Sequence, residues 1–278
     1  MYLPKDHVEP SLVALRQLIR DNPLGQMTTA IAVDGFPLLQ SSHIPFVLEA
    51  DDEASETDPG RLLAHMAKAN PQVKAMHAAG TAAAGVEANS PGVFALEAEV
   101  LVTFTSDVQH YVTPQFYTET KPATAKVVPT WNYATAHVRG RATLYVGGGP
   151  VGGARTHPAT NDFLAYQLDA LSDYGERAIM GFDAKPWKVA DAPTPYLDIM
   201  RRNIVGLRID IDVLEGKFKM SQEMREGDRA GVIGGFRGLG SEAGTAMAAL
   251  VAKKDAAVKA AKAAKASKDA SSVAEEKP

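Results

Sequence analysis

Apolar residues recur at Leu12, Leu15, Leu18 and Ile19, a spacing that lays one face along a helix over residues 11–20. Pro23 biases Asn22 away from the helical region and ends it. The period then falls to two. Residues 27–33 read as a strand, Asp34-Gly35 as a hairpin turn, and residues 36–49 as the returning strand. Pro37 and Pro45 assign that strand to an edge or a bulge. The acidic, turn-rich stretch 51–60 is expected to be an exposed loop. Leu62–Met66 is a short apolar run, 71–78 a helix, and 79–92 an inserted loop of small residues. Residues 93–105 and 126–146 alternate and carry β-branched and aromatic side chains, which marks strands. Gly147-Gly148-Gly149-Pro150 closes the second. Helices are expected over 159–179, 195–203 and 222–235. A strand over 204–213 is expected to turn at Glu215-Gly216 and continue over 217–220.

This order contains no regular βαβ unit, which excludes a doubly wound sheet. It fits a mainly β, α+β chain: a small antiparallel barrel with helices outside. Residues 1–245 read as one domain. From Ala246 the composition shifts to Ala, Lys, Ser and acids with no apolar stripe to dock, so 246–278 read as a low-complexity tail, helical or disordered.

The 278 residues are 45% apolar and 22% charged, ordinary values for a globular protein. No cysteine is present, which excludes disulfides, thiol nucleophiles and Cys-bound metal. None of the seven histidines has a short ligand spacing, so no metal site is expected. No run of 18 apolar residues suggests a membrane span. The start lacks a secretory pattern, so a cytoplasmic location is expected, with the nucleus left open. A net charge of −4 argues against a body-wide grip on DNA. The basic element is residues 251–278, with seven lysines against four acids, and a solubilising role suits it better than DNA contact. The glycines at 147–149 and 152–153 do not form a phosphate-binding P-loop and read as a flexible hairpin loop. No G-x-S-x-G elbow points to a hydrolase. Whether the chain is an enzyme stays open on the residues alone.

Several blocks follow one another in a familiar order. They are Met1-Tyr2-x-Pro4 with His7; Gln26-Met27-Thr28-Thr29; His43-Ile44-Pro45-Phe46; His65-Met66-Ala67-Lys68-Ala69-Asn70-Pro71; Tyr111-Val112-Thr113-Pro114-Gln115-Phe116-Tyr117; Val128-Pro129-Thr130-Trp131-Asn132-Tyr133 with His137; Pro186-Trp187; Ile204-Val205-Gly206; and Gly216-Lys217-Phe218-Lys219-Met220-Ser221-Gln222. In this order, from residue 1 to about 235, the chain resembles the PaiB-type family of FMN-binding negative transcriptional regulators. It departs at Lys68, where the pattern usually has Arg, and in longer segments at 51–60, 79–92 and after 245.

The resemblance implies a split β-barrel of the FMN-binding type with peripheral helices, paired as a homodimer with FMN in the groove between subunits. Within it, His65, Lys68 and Asn70 would hold the phosphate, by charge-assisted bonds in the case of Lys68; the alternative is a surface turn closed by Asn70-Pro71. Thr28 and Thr29 face opposite ways on a strand, so at most one reaches the groove. His43 is a polar flavin contact or an ordinary barrel histidine. Trp131, Asn132 and Tyr133 line the flavin ring or belong to the core. Lys217, with Lys219 and Ser221, reaches phosphate or a partner subunit, or lies on a solvated face. Three functions follow: a flavin-dependent regulator or redox protein; a cofactor-free dimeric interaction protein; or a haem-binding barrel with His43, His65 or His137 as axial ligand.

Overall fold

The computed structural model describes residues 1–87, 90–147 and 157–275, with side chains to residue 264. In chain order its elements are β1 (Val8–Glu9), α1 (Leu12–Asp21), β2 (Leu24–Ala30), β3 (Leu39–Pro45), β4 (Val47–Glu49), β5 (Arg61–Ala67), α2 (Pro71–Ala83), β6 (Gly92–Thr105), β7 (His110–Val112), α3 (Thr120–Thr124), β8 (Thr130–Val146), α4 (Pro158–Tyr174), α5 (Thr194–Arg202), β9 (Ile204–Lys219), α6 (Glu226–Gly238) and α7 (Glu242–Glu275). The expected glycine loop at 147–153 lies outside the described residues beyond Gly147. The chain divides into two compact units, each discontinuous in sequence. A terminal unit comprises Met1–Pro10, Thr105–Thr135 and Gly216–Pro278; a barrel unit comprises Ser11–Phe104 and Ala136–Glu215.

The barrel unit carries the strand path β3-β2-β6-β8-β9-β5-β4. β2 pairs antiparallel with β3 and β6, and β5 with β4 and β9. The path does not return on itself: β3 and β4 are its two end strands. This is the α+β split-barrel class that the resemblance implies. Pro45 ends β3 at that open edge, where a missing N–H costs no ladder bond.

Alternation places Met27, Val102 and Phe104 in the core, where Phe104 meets Phe46 edge to face at 5.7 Å. α1 buries Leu15, Leu18 and Ile19, as its spacing predicts, and Ser11 Oγ caps it by accepting from Ala14 N at 3.2 Å. Its fourth buried residue is Arg16, fully enclosed. The guanidinium donates to the carbonyls of Asp58, Glu53 and Ser55, the last two at 2.9 and 2.8 Å. The acidic loop is therefore anchored from below. Gly60 ends it at φ +84°, where a Cβ would lie 2.4 Å from Glu49 O.

Two expectations need correction here. α2 runs to Ala83, five residues past its expected end at 78, because Gly80 lets the helix sit on Phe94 and the alanines continue it. β9 does not turn at Glu215-Gly216. Gly216 pairs with Glu9 of β1 and stays in the ladder.

In the terminal unit β1 pairs with the end of β9 and β7 with the start of β8. α6 packs on α7. Phe236 of α6 takes Phe116 at 5.3 Å and His110 at 5.1 Å, both edge to face. The reading of everything after 245 as undocked is also corrected. α7 begins at Glu242 and buries Met247, Ala248 and Val251, a short stripe at helical spacing. Asp255 closes a 2.5 Å ion pair with buried Arg229, and Lys254 pairs with Glu9. Residues 259–264 are exposed. Among the described residues no helix is long and apolar enough to cross a membrane.

Candidate functional site

The expected site residues fall into both units. Six belong to the barrel unit: Thr28, Thr29, His43, His65, Lys68 and Asn70. Trp131, Asn132, Tyr133 and Lys217 belong to the terminal unit.

In the barrel unit β5 delivers the His65–Asn70 block, and the three polar side chains diverge. His65 opposes Gly206 of β9. A Cβ on Gly206 would lie 2.5 Å from Phe163, so glycine is what lets α4 settle on this pair of strands. Phe163 stacks flat on Tyr145 at 3.9 Å. One turn along α4, buried Gln167 reaches His65 Nδ1 through Oε1 at 2.8 Å. Gln167 Nε2 is buried without a partner among the described residues.

Asn70 serves the fold. Its Oδ1 accepts from Gln72 N at 2.8 Å and caps α2, and its amide donates to Ser42 Oγ at 3.1 Å. Gln72 is buried and donates to Met27 O, Thr29 Oγ1 and Gln40 O at 3.1–3.2 Å. Thr29 is thus tied inward. Thr28 faces the other way, 3.1 Å from Ser41 Oγ, on the face that also carries exposed His43 opposite Gln26. The two threonines do point oppositely, as strand geometry requires.

Lys68 is held differently. Its backbone N donates to Asn203 O at 2.8 Å, and its half-buried ammonium donates to Gly147 O at 3.1 Å. A lysine ammonium carries three donors, and no other acceptor for it occurs among the described residues. Gly147 lines a cavity of 440 Å³ between the start of α4 and the end of α5. The sequence reading missed Arg201 and Arg202 in the wall of that cavity. They lie outside every recognised block, and only the fold brings them beside Gly147.

In the terminal unit Asn132 is fully buried and exchanges two bonds with Ser221, at 3.0 and 3.1 Å. Ser221 sits at φ 61°, a left-handed conformation. Trp131 is half exposed; its indole N–H donates to Gln109 Oε1 at 3.2 Å and its ring meets Tyr111 edge to face. The amine of buried Lys217 lies 5.6 Å from the Tyr2 ring and 5.5 Å from the Tyr133 ring, two cation–π contacts.

A groove of 420 Å³ in this unit is lined by Tyr117, Thr130, Lys219, Glu223 and Asp228, among others. It joins three of the recognised blocks. Lys219 donates to Thr130 Oγ1 and to Trp131 O, and burial holds its pKa below the ordinary lysine value. Burial, with Glu223 and Asp228 nearby, pushes the Tyr117 phenol up to about 12.

Comparison with known proteins gives the following likenesses. An uncharacterized protein of Emericella nidulans, AN0679, is 49% identical over 255 residues, covering 91% of this chain and 97% of its own. Protease synthase and sporulation protein PAI 2 of Bacillus subtilis is 21% identical over 233 residues, covering 84% of this chain and 87% of its own. The structure of the FAD and heme binding protein from Mycobacterium smegmatis aligns over 76% of this chain and 73% of its own, at 15% identity and a TM-score of 0.42. The family model FMN_bind_2, described as "Putative FMN-binding domain", matches residues 1–213. That match spans more than half of the chain, which therefore belongs to the FMN_bind_2 family, whose cofactor is FMN.

Proposed function

We propose that this protein is a flavoprotein that seats the phosphate of FMN at Lys68 and works as a homodimer in flavin-dependent regulation or redox chemistry. The carrying observation is the Lys68 ammonium. It is half buried, is tethered to the carbonyl of a residue that lines a cavity, and has no second acceptor among the described residues. FMN phosphate carries close to two negative charges near neutral pH, and a charge-assisted bond in a partly buried site is stronger than a neutral one. The residues present fit the group on this count.

When bound, FMN supplies one- or two-electron chemistry; the protein orients and tunes it. Lys68 supplies charge to the phosphate end. His65 stands on β5, three residues before Lys68, with its ring fixed by Gln167, so it offers an oriented second nitrogen rather than a mobile one. Thr29, Asn70 and Asn132 are spent on internal bonds and position the scaffold. A regulatory role draws on the likeness to PAI 2, and direct DNA contact stays outside the proposal, since the net charge is −4.

The absorbance spectrum of the purified full chain, before and after incubation with FMN and desalting, tests this reading. A retained flavin spectrum in stoichiometric amount supports it, and a colourless protein that retains no FMN contradicts it. Light scattering tests the dimer: a mass near twice 29.6 kDa is expected, and a monomer at micromolar concentration contradicts it.

A further inference from the structure

The cavity beside Gly147 has a chemistry of its own. α5 buries none of its residues, so packing does not explain the arginine pair in its last turn. Neither the Arg201 nor the Arg202 side chain has an ion pair or hydrogen bond among the described residues, although Asp162 and Asp198 share the cavity wall. Arg201 Nε is itself shielded from solvent and has no acceptor among the described residues. A buried donor without a partner is costly, and a ligand oxygen would satisfy it. Lys68 does not itself line the cavity, but its ammonium is bonded to Gly147 O, one of the wall residues, which adds a third cation behind that wall. Arginine forks match phosphate oxygens in pairs. The two carboxylates do not suit a bare anion, but they accept hydrogen bonds from hydroxyl groups. Asn161, also in the wall, can donate or accept.

We infer that this cavity is a binding site for a phosphate monoester carried on a polyhydroxylated chain, with Arg201 and Arg202 on the phosphate and Asp162 and Asp198 on the hydroxyls. The ribityl phosphate end of FMN has this chemistry, and so does a free sugar phosphate. In its first form the inference rests on the flavin reading, naming the residues that share the phosphate with Lys68; in its second it stands without it.

Isothermal titration of the full chain with FMN, riboflavin and ribose 5-phosphate separates these cases. The variants are Arg201→Ala, Arg202→Ala, the double variant, and Arg201→Lys as a charge-preserving control, each checked for an unchanged melting temperature. If FMN is the occupant, the double variant loses about 10- to 150-fold in FMN affinity while riboflavin changes little, because only FMN has the phosphate. Arg201→Lys then falls between wild type and Arg201→Ala. If wild type binds no flavin but binds ribose 5-phosphate, and the double variant abolishes that binding, the flavin reading falls and the cavity inference stands. If FMN binds wild type and the arginine variants bind it equally well, the inference is overturned and the flavin reading survives. Equal losses for FMN and riboflavin also overturn it, since they assign the arginines to the fold.

Discussion

Arg229 of α6 and Asp255 of α7 form an ion pair of 2.5 Å with the guanidinium almost wholly enclosed. Removing one partner of such a pair leaves a buried charge unpaired. Asp255→Ala is therefore expected to destabilise the terminal unit by about 3–5 kcal/mol. A chain cut before Met247 should lose more, because the buried Met247 and Val251 go with it. Removing only residues 265–278 should leave the melting temperature nearly unchanged. Thermal melts of the three variants check this; an unperturbed Asp255→Ala would show that α7 contributes little.

α1 and α7 differ in how far their sequences reveal their packing. α1 was legible because its apolar face is dense and its ends carry Ser11 and Pro23. In α7 the docking stripe is three residues long, in a run of alanines that are equally at home buried or exposed, so periodicity carried almost no signal there. At Glu215-Gly216 a local turn signal was real but was overridden by pairing with Glu9, 207 residues earlier in the chain. Of the proposed phosphate contacts, Lys68 could be singled out from the sequence because it lies in a recognised block. Arg201 and Arg202 could not, because a cavity assembled from Gly147, α4 and α5 has no local signature. Asn132 was legible as important but not in kind: its tie to Ser221 spans 89 residues.

Thr28 and Thr29 should separate cleanly. Thr29 is buried and accepts from Gln72, so Thr29→Val leaves Gln72 short of an acceptor and should cost about 1–3 kcal/mol. Flavin affinity of the folded fraction should not change. Thr28→Val, on the outer face, should cost under ~0.5 kcal/mol in stability. Chemical denaturation alongside FMN titration checks both. A Thr29→Val protein of full stability but weakened FMN binding would move Thr29 from the scaffold to the ligand.

Acidification should destabilise the protein in the histidine range. Burial holds His77 and His137 below their ordinary value of 6.5. A group depressed in the fold binds more protons when unfolded, so stability is fully present above the unfolded pKa and declines as pH falls through the folded one. The melting temperature should thus fall from about pH 6.5 downward, before the carboxylates titrate. The double variant His77→Gln, His137→Gln should flatten that part of the profile. An unchanged slope between pH 7 and pH 5 would contradict the burial argument.

The most direct test of the central claim is a paired titration of wild type and Lys68→Ala with FMN and with riboflavin. If Lys68 holds the phosphate, Lys68→Ala weakens FMN by roughly 1.5–3 kcal/mol, about 10- to 150-fold in dissociation constant. Riboflavin, which lacks the phosphate, should bind both proteins alike. Lys68→Arg should keep or improve FMN affinity, because the guanidinium fork suits phosphate. Equal losses for both ligands, or no loss for either, would contradict the account.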